Sequence, residues 1–298
     1  MRSRELVGVA LVLFVSACSA GTQDDGLDGG GQANQGGQSS GEGGNAFGVG
    51  GGGGGSVDDC LDNAKLIYVL DSNFALYSFD PNIPGTAAYK LVGPLSCPSQ
   101  LGGPQSMAVD RSGTAFVFYD SGELFRVSTL DASCTATPYV HPVQSGFNQL
   151  GMGFTATVPD SPQETLYINS PVFGLATVDA STYAVTQTGA LAATAELTGG
   201  PDALLFRFRA DTVQLDEVAI GPWTLTPIHT FSELFGTSAF AFSRYAGKFY
   251  MFTSDGLSPT TTTEYDPVLD TSITRDQNVG FTIVGAGQST CVPPPPAE

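Results

Sequence analysis

The sequence predicts an all-β fold, a ring of five four-stranded antiparallel blades, and three observations point to it. Short runs rich in Val, Phe and Tyr recur between glycine, serine and aspartate turns, which is the pattern of antiparallel sheet. Four such runs form a unit, and the unit repeats at a spacing of about 40 to 50 residues, as in β-propeller blades. The first unit lacks one run and the chain ends with one to spare, so its two ends are expected to complete a blade together.

Residues 1–17 carry Arg2 and Arg4, then an apolar run from Leu6 to Val15, then small residues. About 20 apolar residues are needed to cross a bilayer, so this shorter run reads as a signal peptide. "VSAC", Val15 to Cys18, resembles the lipobox of bacterial lipoproteins. That resemblance implies that Cys18 becomes the mature N-terminus and carries the lipid. Ser19 in place of an aspartate implies the outer membrane as the destination, facing periplasm or exterior. Each buried methylene contributes about 0.8 kcal/mol, so a multiply acylated cysteine anchors firmly.

Residues 18–56 follow as a tether. Seventeen of the chain's 38 glycines lie between Gly21 and Ser56, with almost no apolar content to offset the entropy of ordering. A flexible chain of this length reaches on the order of 35 Å. "DDGLDGG" lacks the ligand spacing and closing glutamate of a calcium loop, and no metal is expected there. The domain itself is residues 57–292, with a proline-rich tail at 293–298.

Within the domain, the runs Ser106–Asp110, Thr114–Tyr119, Glu123–Ser128 and Thr135–Val140 make one complete unit. The same order returns between Leu150 and Gly189, between Ala195 and His229, and between Ala239 and Asp276. Asp80, Ser128, Asp179, Asp216 and Asp266 close the third run of each unit, at spacings of 48, 51, 37 and 50 residues. Upstream, "KLIYVLD", "ALYSFDP" and "YKLVGPL" supply the last three runs only, and "GFTIVGAG", Gly280 to Gly287, is the spare innermost strand. Residues 281–286 should therefore pair with the N-terminal blade and close the ring.

With Cys18 assigned to lipid, four cysteines remain, and an even count in an exported chain reads as two disulfides with three possible connectivities. Cys60 precedes the second strand of the shared blade and Cys291 follows its first, so Cys60–Cys291 would lock the seam, leaving Cys97–Cys134. Zinc is not expected, because no pair has CxxC spacing and the two histidines lie far from any cysteine in sequence.

"KLIYVLDSNFALYSFDP" and "MAVDRSGTAFVFYDSGELFRVSTLD" resemble blades of the quinoprotein-like and NHL-type propellers. The resemblance covers most of Lys65 to Gly287. It departs from the WD-repeat pattern, having one tryptophan, Trp223, and no Trp-Asp dipeptide. The overall layout is also similar to bacterial outer-membrane lipoproteins, which implies no activity.

Composition limits the partners. Between Val57 and Glu298 there are 24 acidic residues against 9 basic, a surface that repels nucleic acid and anionic lipid. Contact with the membrane is expected through Cys18 alone, with a protein or glycan partner for a monomeric domain and no cofactor. Propeller enzymes carry their reactive groups on the innermost strands, and here those strands offer only Asp110 and Glu196. Two facing carboxylates could serve a glycan or lactone hydrolase. The five-bladed glycosidases to which this ring size is similar use three. Asp110 reads more simply as a turn-closing aspartate and Glu196 as a surface or channel-rim carboxylate.

Other chemistry is sparse. There is no GxSxG motif, His141 and His229 read as solvated turn residues, and "VGAGQST" has GxG without a following helix. "FRFRA" puts Arg207 and Arg209 on one face, as a receptor for an anionic ligand or as cross-strand partners of carboxylates. A quinone-dependent dehydrogenase would need a basic and aromatic pocket that the runs do not supply. The expectation is a binding or scaffold module, with the hydrolase as its alternative.

Overall fold

The computed structural model describes residues 60–99, 102–142 and 149–296. The signal segment, Cys18 and the glycine-rich stretch lie outside the described residues. The first three strands are β1 (Ile67–Asp71), β2 (Ala75–Phe79) and β3 (Tyr89–Pro94). Next come β4 (Pro104–Val109), β5 (Thr114–Tyr119), β6 (Leu124–Ser128) and β7 (Cys134–Ala136). They are followed by β8 (Gly151–Ala156), β9 (Glu164–Ser170), β10 (Gly174–Val178) and β11 (Val185–Gly189). Then come β12 (Ala195–Gly199), β13 (Leu205–Arg209), β14 (Gln214–Ala219) and β15 (Thr224–Thr230). The last are β16 (Ala239–Tyr245), β17 (Lys248–Ser254), β18 (Thr261–Asp266), β19 (Thr271–Asp276) and β20 (Ile283–Gln288).

These strands form five four-stranded sheets, and the first has the order β20-β1-β2-β3. The C-terminal strand is therefore the innermost strand of the N-terminal blade, antiparallel to β1 from Ile67↔Gln288 to Leu70↔Gly285. The innermost strands β20, β4, β8, β12 and β16 pack side by side in succession, and β16 returns to β20. The fold is a five-bladed β-propeller.

Both faces of each blade are covered, which is why the runs are nearly continuously apolar rather than alternating with polar residues. In β5, Ala115, Val117 and Tyr119 pack toward the preceding blade with Leu70, Leu76 and Met107. Phe116 and Phe118 point the other way, against Met152, Phe154 and Ile168 of the next blade. Phe116 meets Phe154 edge to face at 5.4 Å, a favourable arrangement of the ring quadrupoles.

The Cys60–Cys291 disulfide closes the seam across 231 residues, with Cα atoms 5.7 Å apart. A second bridge, Cys97–Cys134, ties the segment after β3 to β7, the outermost strand of the next blade. Both disulfides point to an oxidising, exported setting. Among the described residues, no helix is long and apolar enough to cross a membrane.

One register position differs from the sequence reading. Ser128 and Asp266 end the third strand of their blades and Asp179 directly follows it, but Asp216 lies inside β14. The equivalent position there is Ala219. Ser128, Asp179 and Ala219 each accept the backbone N–H of the residue four places on. Those residues, Ala132, Tyr183 and Trp223, have φ of 58°, 62° and 54°, and Asp270, four after Asp266, has 49°. In these four blades the repeat is marked by a left-handed turn residue rather than by an aspartate; in the first, Pro84 stands four places after Asp80 with φ of -77°. Asp216 instead takes the guanidinium of Arg207 across the strand pair.

Candidate functional site

The innermost strands define the site, because every one of them faces the axis of the ring. In β8 and β20 glycine alternates with another residue, "GMG" and "GAG". A Cβ on Gly151 would sit 1.9 Å from the Ala195 carbonyl oxygen, and one on Gly199 would sit 2.4 Å from that of Phe154. A Cβ on Gly287 would come within 2.8 Å of the Met107 oxygen. Neighbouring innermost strands thus run in the same direction with their backbones touching, which narrows the axis until side chains fill it.

Two polar tiers do the filling. In the first, Glu196 Oε2 accepts the Ser106 hydroxyl at 2.8 Å, and the Glu196 carboxyl also accepts the backbone N–H of Met152. Three blades meet at this one group. In the second, Gln288 Nε2 donates to Gly199 O at 2.7 Å, Thr198 Oγ1 donates to Gln288 Oε1 at 2.9 Å, and Ser243 Oγ donates to the same oxygen. Ser106, Glu196, Thr198, Ser243 and Gln288 are all buried. Sequence reading placed Glu196 on a surface or channel rim. The structure buries it at 4% exposure, and that burial pushes its carboxyl well above the ordinary range against the lowering by its two donors.

The two candidate carboxylates are not brought together. Asp110 Oδ1 accepts the backbone N–H of Ser112 and of Thr114, each at 2.9 Å, and so closes its own turn. Asp110 lies four residues beyond Ser106, the residue that touches Glu196, or about 13 Å at roughly 3.3 Å per residue. Paired glycosidic carboxyls span about 5 to 9.5 Å.

Arg207 and Arg209 are both engaged. Arg207 pairs with Asp216 at 2.9 Å, both side chains buried, and Arg209 holds Asp211 through two bonds of 3.0 and 2.6 Å. Neither histidine is a solvated turn residue. His141 is buried beside Phe118, Tyr139 and Phe173. His229 is the penultimate residue of β15, with its ring 4.6 Å from both Phe231 and Tyr265, and Nδ1 3.0 Å from Asp270 Oδ1. No cluster of three or more His, Cys, Asp or Glu suited to a metal occurs among the described residues.

A cleft of about 310 Å³ opens on the rim, between the segment preceding β16 and the β17–β18 loop. Glu233, Phe235, Thr237, Asp255 and Ser258 line it. Phe235 is 62% exposed, and Leu257 in the same loop is 95% exposed. Sequence reading located function in the rim loops without singling out this one.

Where the seam meets the next blades, Glu164 Oε1 accepts the Arg111 backbone N–H and Oε2 accepts the Thr290 hydroxyl, each at 2.8 Å. Burial raises its carboxyl to about 7, with Asp110 adding to the rise and the Arg111 and Thr290 contacts opposing it. A carboxyl raised in the folded state binds its proton more tightly there than in the unfolded chain. Its contribution to stability is therefore full below about 4.5, the unfolded value, and lost as pH rises through about 7. Glu164→Gln should remove about 2 to 3 kcal/mol of this pH dependence. Urea unfolding at pH 4.5 and pH 8 checks it: parallel pH profiles for both proteins would refute the assignment.

No family model matches the chain, and no curated protein does. Among solved structures, a chain from the "Crystal structure of Nidogen/Laminin Complex" is similar, with a TM-score of 0.50 and 7% identity. The match covers 74% of this chain and 97% of that one. At this identity the likeness speaks for the propeller fold alone.

Proposed function

We propose that this chain is an exported binding module, held at the outer membrane by a lipid on Cys18, that meets a protein or glycan through its rim. The sealed axis carries this reading. Among the described residues the innermost backbones touch and Glu196 and Gln288 occupy the centre, which leaves little room there for a substrate. The cleft lined by Phe235 then offers a contact surface, with exposed Phe235 in its wall and exposed Leu257 in the loop that borders it. Exposed apolar groups beside hydroxyls and carboxylates suit a partner that is itself amphipathic.

The hydrolase alternative loses its support with the separation of Asp110 from Glu196. Anion binding at Arg207 and Arg209 loses its support with their ion pairs. The domain acts as a monomer, and its acidity keeps it from nucleic acid.

Capture from outer-membrane and cell-wall fractions, with the full chain in detergent as bait and a glycan array in parallel, tests the reading. Phe235→Ala with Leu257→Ser should reduce capture at least tenfold and leave the melting temperature unchanged. Equal capture by the double variant would move the contact elsewhere; capture of nothing by either would remove the binding-module reading. Replacing Cys18 with Ala should release the chain from membranes in a fractionation of the producing cells.

A further inference from the structure

On one side of the Glu196 tier the axis holds a small cavity of about 10 Å³, lined by Gln105, Gln149, Asn169, Thr194 and Glu196 among others. That is room for one water-sized guest. What is unusual is its chemistry. Asn169 is fully buried, and its Nδ2 donates to Leu191 O at 2.8 Å, which fixes the amide so that Oδ1 is the atom left without a partner. Gln105 Oε1 is likewise buried and without a partner.

Gln105 sits at an irregularity of the β4–β5 ladder, where the register shifts between Pro104 and Ser106. Such bulges re-aim a side chain. Gln149 Oε1 accepts the Thr194 hydroxyl at 3.0 Å and, as an sp² oxygen, has a second lone pair. Among the described residues, no lysine, arginine or histidine lines the cavity.

The cavity thus gathers the buried Glu196 carboxyl and two amide oxygens, Asn169 Oδ1 and Gln105 Oε1, that have no hydrogen-bond partner. A single water donates only two hydrogens, and burial, which raises the Glu196 carboxyl well above its ordinary range, favours its protonated form while no cation is bound. A cation that displaces this proton coordinates all three groups at once and offsets the carboxylate charge. The geometry points to a binding site for one hard, oxygen-seeking cation of calcium or sodium size, held on the axis by Glu196, Asn169 and Gln105. All-oxygen donor sets select such ions over transition metals. With a single carboxylate the affinity for calcium is expected near 10⁻⁴ to about 10⁻³ M, the range of extracellular modules. The ion would brace the tier in which three blades meet, and would keep the axis shut.

The full chain is dialysed against chelator in a choline buffer and then titrated with calcium and, separately, with sodium. Thermal unfolding and titration calorimetry are the readouts. A saturable rise in melting temperature at one ion per chain is expected with at least one of the two ions. Glu196→Gln should abolish the rise and, in chelator, melt no lower than the parent, because it puts a neutral amide in place of a buried ionisable group while keeping an acceptor for Ser106. Gln105→Glu, which adds a second carboxylate at a partly exposed position, should tighten calcium binding about tenfold. A melting temperature indifferent to both ions would overturn the site. So would a rise that survives undiminished in Glu196→Gln, and if that variant fails to fold, unaltered calcium affinity in Gln105→Glu decides against it.

Discussion

Gly151→Val should yield no soluble protein that unfolds cooperatively. The reason is space rather than backbone conformation: Gly151 lies in extended β8, and any Cβ there would stand 1.9 Å from the Ala195 carbonyl oxygen and 2.7 Å from the Glu196 Cα. Those are backbone atoms of the next innermost strand, so no rotamer change relieves the clash. Either β8 or β12 must move outward, and each is wedged between two neighbours in a closed ring. Ordinary overpacking costs about 1 to 3 kcal/mol, and a displaced strand at the axis disturbs every interface it touches. Gly103→Ala is the control. A Cβ there meets only Phe74 at 3.6 Å, an ordinary contact, so folding and melting should be close to those of the parent. Expression, circular dichroism and thermal melts of the two variants check the contrast. A folded Gly151→Val protein with a normal melt would mean that the axis is not closed by backbone contact.

Removing the seam disulfide, by Cys60→Ser with Cys291→Ser, should lower stability by about 4 to 5 kcal/mol. The bridge closes a loop of 231 residues, and in the chain-entropy model so long a loop in the unfolded state accounts for nearly that whole amount. In a domain of this size the loss corresponds to roughly 10 to 20 °C in melting temperature. The local surroundings add to it: Arg111 donates to Cys60 Sγ at 3.2 Å and to Thr290 Oγ1 at 3.1 Å, so the seam also organises the brace around Glu164. The Cys97–Cys134 bridge closes a loop of only 37 residues, so replacing both of its cysteines should cost less. Equal losses for the two double variants, or a seam variant that melts like the parent, would contradict a ring held shut at that point.

Much of this architecture was legible in the sequence because a closed ring leaves an arithmetical trace. The N-terminal unit lacked its innermost strand, a spare run stood at the other end, and the cysteines flanked the junction; β20 pairing with β1 follows that reading. The register of the fourth unit did not follow it, because aspartate serves two purposes in this chain. Asp179 and Asp266 close turns, whereas Asp216 neutralises a buried arginine within a strand. The feature that does repeat, a residue of positive φ four places on, falls on Ala132, Tyr183, Trp223 and Asp270, which share no letter.

The axis was harder still. Polar residues such as Ser106, Thr198 and Gln288 look like surface positions until the ring turns them inward. The one available signal was glycine at alternate positions in "GMG" and "GAG", which looks like a loop motif and is a packing motif. His141 was misread for a similar reason: a histidine before a proline suggests a solvated turn, and nothing local reveals that Phe118 and Phe173 close over it.

Ring closure is open to direct chemical proof. The exported chain, alkylated without reduction, digested and analysed by mass spectrometry, should give two linked peptide pairs, one joining Cys60 to Cys291 and the other Cys97 to Cys134. Alkylated thiols at Cys60 and Cys291, or a bridge from either one to Cys97 or Cys134, would contradict a propeller that shares its first blade between the two ends of the chain.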